Sequence, residues 1–145
     1  MLVIVDAQVL FASLIRRGYT LSLIRLLHEK EYELVVPEYI FEEVARKEEK
    51  LLKYSKLEKG KLWYTLFLAM SNIKTVPEGE YAGYLEEARA FSPPEDFPYA
   101  ALALKYLSEQ KKAAVWSNDT GFKNAAKGRI DILSTQEIKR LIGLA

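Results

Sequence analysis

The chain opens on Leu2-Val3-Ile4-Val5, four apolar residues in a row that end at once on Asp6. A continuous run of this kind suits a strand covered on both faces, as strands are in a parallel sheet. Parallel strands cannot be joined by tight hairpins, so such a strand asks for helical crossovers behind it. The sequence supplies them. Val9-Leu10-Phe11 with Leu14-Ile15 takes up helical spacing and stops at Gly18, and a second helix runs from Thr20 as cap through Leu21, Leu23-Ile24 and Leu26-Leu27. Further short strands are predicted at 33–36, 73–76, 113–116 and 130–133.

Between them lie more helical stretches. Pro37 fits the first turn of a helix whose apolar stripe is Tyr39-Ile40, Val44 and Leu51-Leu52, and another begins at Ser55 or Lys56 and reaches Met70. No strand signal interrupts this run, so residues 37–70 are expected to form a helical hairpin beside the sheet. Tyr81 to Phe91 reads as a helix, Ser92-Pro93-Pro94-Glu95 as a stiff connector, and Phe97 to Leu107 as a strong helix. Asp119 opens a short helix ending near Gly128, and Gln136 to Ile142 forms another. Alternation of this sort specifies a three-layer α/β/α sandwich around a central, mainly parallel sheet of about five strands with right-handed crossovers. The length of 145 residues is that of one domain, expected to span 1–145.

Composition matters for what it removes. There is no cysteine and one histidine, which excludes disulfides, thiolate zinc sites, Fe–S clusters, a cysteine nucleophile and a two-histidine facial triad. His28 sits at the polar end of an amphipathic helix and is expected on the surface. The seven glycines form neither a P-loop nor a G-x-G-x-x-G pattern, so no nucleotide cofactor is expected. The longest apolar stretch, Trp63 to Met70, is too short to span a bilayer, and nothing before Asp6 could act as a signal peptide; a soluble cytoplasmic protein is the expectation. A net charge of +1 argues against a broadly basic nucleic-acid binder but leaves room for a local basic rim.

Carboxylates remain, and their distribution is uneven. Sixteen of the 20 acids are glutamates, mostly among lysines on helix faces; the aspartates are only Asp6, Asp96, Asp119 and Asp131. Asp6 follows the first strand, Asp119 lies just past the fourth, and Asp96 precedes the helix leading into it. Ligands of open parallel sheets bind at the carboxyl ends of strands, where strand order reverses, and Asp6 can meet Asp119 there if strands one and four are neighbours. Each of the three could instead cap the helix that follows it. Asp131 is expected in a turn. Two carboxylates about 5 Å apart repel by roughly 3 kcal/mol at an effective dielectric near 20, so a cluster needs a cation or shared protons. With sulfur and imidazole ligands missing, that cation should be Mg²⁺ or Mn²⁺, whose usual work is on phosphates.

Four segments, in order, resemble the PIN-domain nucleases. Val3-Ile4-Val5-Asp6-Ala7-Gln8-Val9-Leu10 is similar to their opening strand, and Val36-Pro37-Glu38-Tyr39-Ile40-Phe41-Glu42-Glu43-Val44 to the segment carrying a metal-binding glutamate. That glutamate corresponds to Glu43, with Glu42 as the competitor one position away. Pro94-Glu95-Asp96-Phe97-Pro98-Tyr99-Ala100-Ala101-Leu102-Ala103 resembles the third, and Trp116-Ser117-Asn118-Asp119-Thr120-Gly121-Phe122 the fourth. The resemblance implies a single PIN-like domain that cleaves RNA phosphodiesters with Asp6, Glu43, Asp96 and Asp119 as metal ligands and catalytic residues. Ser117, Asn118 and Gln8 would support them, and Lys47, Lys123, Lys127 and Arg129 are candidates for contacts to the RNA backbone. Many members are toxins of toxin–antitoxin pairs, which adds an antitoxin as expected partner; the aromatic-rich stretch Tyr54 to Phe67 adds a homodimer.

Two departures stand out. Gln8 replaces the usual Asn beside Ala7, which lacks the usual hydroxyl, and Gly121 stands where many members carry a further Asp. They motivate a second reading, a PIN fold without catalysis that serves as an RNA-binding or protein-interaction module. A third, an aspartyl-phosphate phosphatase, wants a general acid two positions after its first-strand Asp and meets Gln8 instead.

Overall fold

The computed structural model describes residues 1–15 and 18–144. Its sheet consists of β1 (Leu2–Val5), β2 (Glu33–Pro37), β3 (Lys74–Val76), β4 (Ala113–Trp116) and β5 (Asp131–Leu133). All four pairings are parallel, in the order β3-β2-β1-β4-β5. Every residue of the two central strands, β1 and β4, is buried, which is why neither shows an alternating pattern.

The helices are α1 (Ala7–Ile15), α2 (Tyr19–Glu29), α3 (Tyr39–Arg46), α4 (Glu48–Ser55), α5 (Lys59–Ala69), α6 (Glu78–Tyr81), α7 (Leu85–Phe91), α8 (Phe97–Ser108), α9 (Thr120–Ala125) and α10 (Thr135–Leu141). From β1 the chain steps outward to β2 and β3, then jumps back across β1 to β4 and on to β5. Right-handed crossovers place the helices of the first two steps on one face of the sheet and those of the return on the other. The contacts agree: α1 packs on α2, α4 and α5, whereas α8 packs on α6, α7 and the strands β1, β2 and β4. The three-layer sandwich is therefore present, and its strand order reverses between β1 and β4. Their register sets Val5 beside Trp116, so Asp6 and the β4 terminus leave the sheet side by side.

Several boundaries differ from the sequence reading. Residues 37–70 hold three helices rather than a hairpin: Pro37 closes β2, the chain breaks at Lys47 between α3 and α4, and Lys56 turns left-handed (φ 58°) before α5 starts at Lys59. Pro can end a strand where its missing N–H has no partner to serve, a use as good as the first helical turn. The stretch 81–91 is split by a 3₁₀ turn at Ala82–Tyr84, and α2 starts at Tyr19 behind Gly18, whose φ of 110° suits glycine. Asp131 begins β5 instead of occupying a turn. His28 is exposed on α2 as expected. Among the described residues no helix is long and apolar enough to cross a membrane.

Candidate active site

Asp6 reaches the switch point because its backbone continues the β1–β4 ladder: its N–H donates to the Trp116 carbonyl at 3.1 Å. The side chain is buried, and the Ser117 hydroxyl donates to Oδ2 at 2.7 Å. Ser117 is itself fixed by a backbone bond from its N–H to the Leu133 carbonyl. Burial pushes the Asp6 carboxyl up, the bonds from Ser117 and the Ala7 N–H pull it down, and the charge of Asp119 pushes it up again.

Asp119 caps α9, accepting from the Phe122 N–H at 3.2 Å, so its capping role is real and coexists with its place beside Asp6. Gly121 lies against the same carboxylate: a Cβ there would stand 3.2 Å from Oδ1. A side chain at 121 would require the carboxylate to give by a few tenths of an ångström. Asp96 occupies the cap position of α8 but makes no side-chain cap bond, so the capping explanation fails for it. Its carboxyl is buried, and its pKa is raised to about 7, first by burial, then by the charges of Asp6 and Asp119 and a hydrogen bond shared with Asp119.

Glu43 arrives from the helical side. It lies on the buried face of α3 at 2% exposure, whereas its neighbour Glu42 is exposed, so Glu43 is the one that faces Asp6. The hydroxyl of Tyr99 donates to Glu43 Oε1 at 2.7 Å, and Lys47 Nζ stands 3.8 Å from Oε2. Burial raises the Glu43 carboxyl while Tyr99 and Lys47 lower it. Tyr99 is fully buried, and burial beside the Glu43 charge holds its hydroxyl well above the ordinary tyrosine range, so it stays a proton donor. Tyr99 was missed in the sequence; three residues after Asp96 on one helix, it shares that residue's face, and this spacing was the available signal.

The other candidates divide. Lys47 is at the site, bracketed by Glu43 and by Glu95 at 3.5 Å, with its ammonium 5.6 Å from the centre of the Phe11 ring. Gln8 is exposed and lines a cleft with Phe11, Lys47 and Tyr54. Asn118 turns to Thr135, donating to its hydroxyl at 2.9 Å and accepting its N–H at 2.7 Å, which ties the β4 loop to α10. Lys123 is paired with Glu137, Arg129 lies over the Phe91 ring, and Lys127 is exposed.

The donor set therefore offers carboxylate oxygen alone. No three acidic or histidine side chains among the described residues converge on one point as they stand. Magnesium-type ions keep several waters and take one or two carboxylates directly, so the arrangement suits a hydrated hard cation and not a closed cage.

A PIN-domain family model matches residues 4–139. The chain belongs to the PIN-domain family. Among solved structures it is similar to a chain of VapBC2 from Rickettsia felis bound to a DNA fragment from their promoter, with a TM-score of 0.65 and 14% identity over 92% of this chain and 98% of that one. At that identity the likeness is one of fold. No curated protein sequence matches the chain. Membership makes a nuclease the coarse reading of this PIN domain.

Proposed function

We propose that residues 1–145 form a single PIN unit that hydrolyses RNA phosphodiester bonds as a Mg²⁺- or Mn²⁺-dependent endoribonuclease. The observation that carries this reading is the placement of Asp96: a buried acid at a helix start that makes no cap bond and stands near Asp6 and Asp119, its carboxyl raised first by burial and then by their charges. Nothing in helix capping explains gathering four acids at a strand-order switch; a cation does. Asp6, Glu43, Asp96 and Asp119 would hold the ion, in part through its waters. When bound, such an ion lowers the pKa of a water and stabilises charge on the scissile phosphate. Ser117 fixes the orientation of the Asp6 carboxylate, and Tyr99 that of Glu43.

A toxin of a toxin–antitoxin pair is the biological placement we favour, supported by the fold likeness to VapBC2 and the absence among the described helices of any that could cross a membrane, which also fits a cytoplasmic protein. A protein partner, an antitoxin or a second copy, is supported by exposed apolar groups: Phe67 is 70% and Tyr64 62% exposed, next to a groove of about 540 Å³ walled by Phe41, Trp63, Leu66 and Met70.

The test is cleavage of RNA by the purified protein with Mn²⁺. The wild type cuts and Asp119→Asn does not. If the wild type fails to cut and calorimetry finds no Mn²⁺ binding that depends on Asp6 and Asp119, the non-catalytic module replaces the nuclease. Gln8, turned to the cleft instead of to Asp6, is the feature that favours that rival.

A further inference from the structure

We propose that the acid-lined pocket at the carboxyl ends of β2 and β3 is a subsite for a guanidinium group, separate from the four acids gathered around β1 and β4. The strand ends build it. The Glu38 N–H donates to the Val76 carbonyl at 2.9 Å, and the Glu38 carboxylate accepts the Glu78 N–H at 2.6 Å, which ties the start of α3 to the start of α6. Beside this junction lies a pocket of about 210 Å³ lined by Glu38, Tyr39, Phe41, Glu42, Glu78 and Tyr81. Acids at helix starts favour the helix dipole, which is reason enough for Glu42 and Glu78 to stand where they do. It does not account for Tyr81. That side chain is 1% exposed and lines the same pocket, yet its hydroxyl is buried with no hydrogen-bond partner, a loss that folded proteins rarely accept.

The groups around that hydroxyl say what partner it lacks. Burial, and after it the charges of Glu78, Glu38 and Glu42, push the Tyr81 pKa up to about 12, against the pull of the Tyr39 N–H, which approaches the oxygen without completing a bond. Tyr81 therefore stays a neutral hydroxyl among three carboxylates. No ion pair among the described residues includes Glu38, Glu42 or Glu78, whereas Glu43, Glu48 and Glu80 each have a lysine. Glu38 and Glu42 stand four residues apart, a spacing at which like charges on a helix repel. Arg46 does not serve them: it donates to the Tyr39 hydroxyl at 3.2 Å, and the acid charges it feels are those of Glu43 and Glu95. A bare metal ion is a poor fit, since no three acidic side chains among the described residues converge on one point. A guanidinium fits better, because its five N–H donors fan out in a plane and reach separate carboxylates and a hydroxyl oxygen together. Phe41, 45% exposed, also walls the groove of Trp63 and Phe67, so an arginine carried by a peptide would find apolar surface beside its charge.

The experiment is a titration of the isotope-labelled full chain with N-acetyl-arginine methylamide at constant ionic strength, followed by the amide NMR shifts of Tyr39, Glu78 and Tyr81. These shifts should saturate with a millimolar Kd. N-acetyl-lysine methylamide should bind several-fold more weakly, and MgCl₂ should leave the shifts unmoved. Glu42→Gln combined with Glu78→Gln should weaken binding about tenfold or more. Tyr81→Phe should weaken it about threefold while the free protein melts no lower than the wild type, because the change removes an unpaired buried group. A blocked leucyl-arginine dipeptide separates the sources of the guanidinium: tighter binding than arginine alone, lost in Phe41→Ala, marks a peptide-borne arginine, and equal binding marks a free guanidinium compound. No saturation by the wild type, an equal response to the lysine compound or to MgCl₂, or unchanged affinity in the double variant overturns the subsite. A Tyr81→Phe protein that binds as the wild type does and melts lower overturns it too. None of these residues belongs to the four-acid cluster, so the outcome is independent of the nuclease reading.

Discussion

Asp6 and Asp119 leave the sheet at neighbouring strand ends, whereas Glu43 and Asp96 ride on α3 and the start of α8, and the two pairs are held by different means. On the strand side the backbone does most of the holding: Asp6 N–H pairs with Trp116, Ser117 N–H with Leu133, and Asp119 is tied into its own helix cap. On the helix side no ladder reaches the acids, and Glu43 depends on two side chains, the Tyr99 hydroxyl and the Lys47 ammonium. Backbone pairing fixes a carboxylate by register; a helix-borne carboxylate is fixed only as well as its neighbours are packed. The strand pair should therefore tolerate loss of one side-chain support, and the helix pair should not.

The largest effect expected is at the strand pair itself. Asp119→Asn should lower Mn²⁺-dependent RNA cleavage by about a thousandfold, equivalent to about 4 kcal/mol of transition-state stabilisation. A drop of only a few fold would mean that the cluster is not the reacting centre.

Next comes the pH dependence of stability without metal. The folded-state pKa of Asp96, about 7, lies above that of an unfolded aspartate, so the folded protein binds the extra proton between roughly pH 4 and 7. Stability in EDTA should fall as pH rises through that window, by about 2 to 4 kcal/mol, and level off above it. Asp6 and Glu43 are raised as well and act in the same direction. Chemical denaturation from pH 4.5 to 8 checks this; stability that rises across the window contradicts it.

The supports differ by less, and in a stated order. Tyr99→Phe strips Glu43 of its donor in a buried setting and should weaken Mn²⁺ binding about 10- to 100-fold by calorimetry. Ser117→Ala should cost less, about 1 kcal/mol or under, because the backbone still places Asp6. Reversal of that order would mean that the helix side is the better anchored of the two.

The same contrast explains what the sequence could reveal. The strands β1 and β4 were legible because parallel strands buried on both faces write themselves as unbroken apolar runs, Leu2–Val5 and Ala113–Trp116, whereas the edge strands β3 and β5 showed only as short β-branched or aliphatic stretches ending in Val76 and Leu133. The meeting of Asp6 and Asp119 followed once β1 and β4 became neighbours. The helical side was harder: the 37–70 segment reads as two helices parted near Ser55 or Lys56, and the further break at Lys47 carries no Gly or Pro to mark it. Tyr99 was hidden for a related reason, since a tyrosine among Ala and Leu on a buried helix looks like core until its hydroxyl is seen against Glu43. Asn118, beside the acids in sequence, faces Thr135 because a tight loop after β4 sends successive side chains in different directions.

Thermal unfolding of Asp96→Asn at pH 8, with and without Mn²⁺, tests the central claim that the four acids are a strained cluster awaiting a cation. Removing one charge should raise the melting temperature in EDTA and abolish the increment that Mn²⁺ gives the wild type. A variant that melts lower in EDTA and keeps the full Mn²⁺ increment would contradict the account.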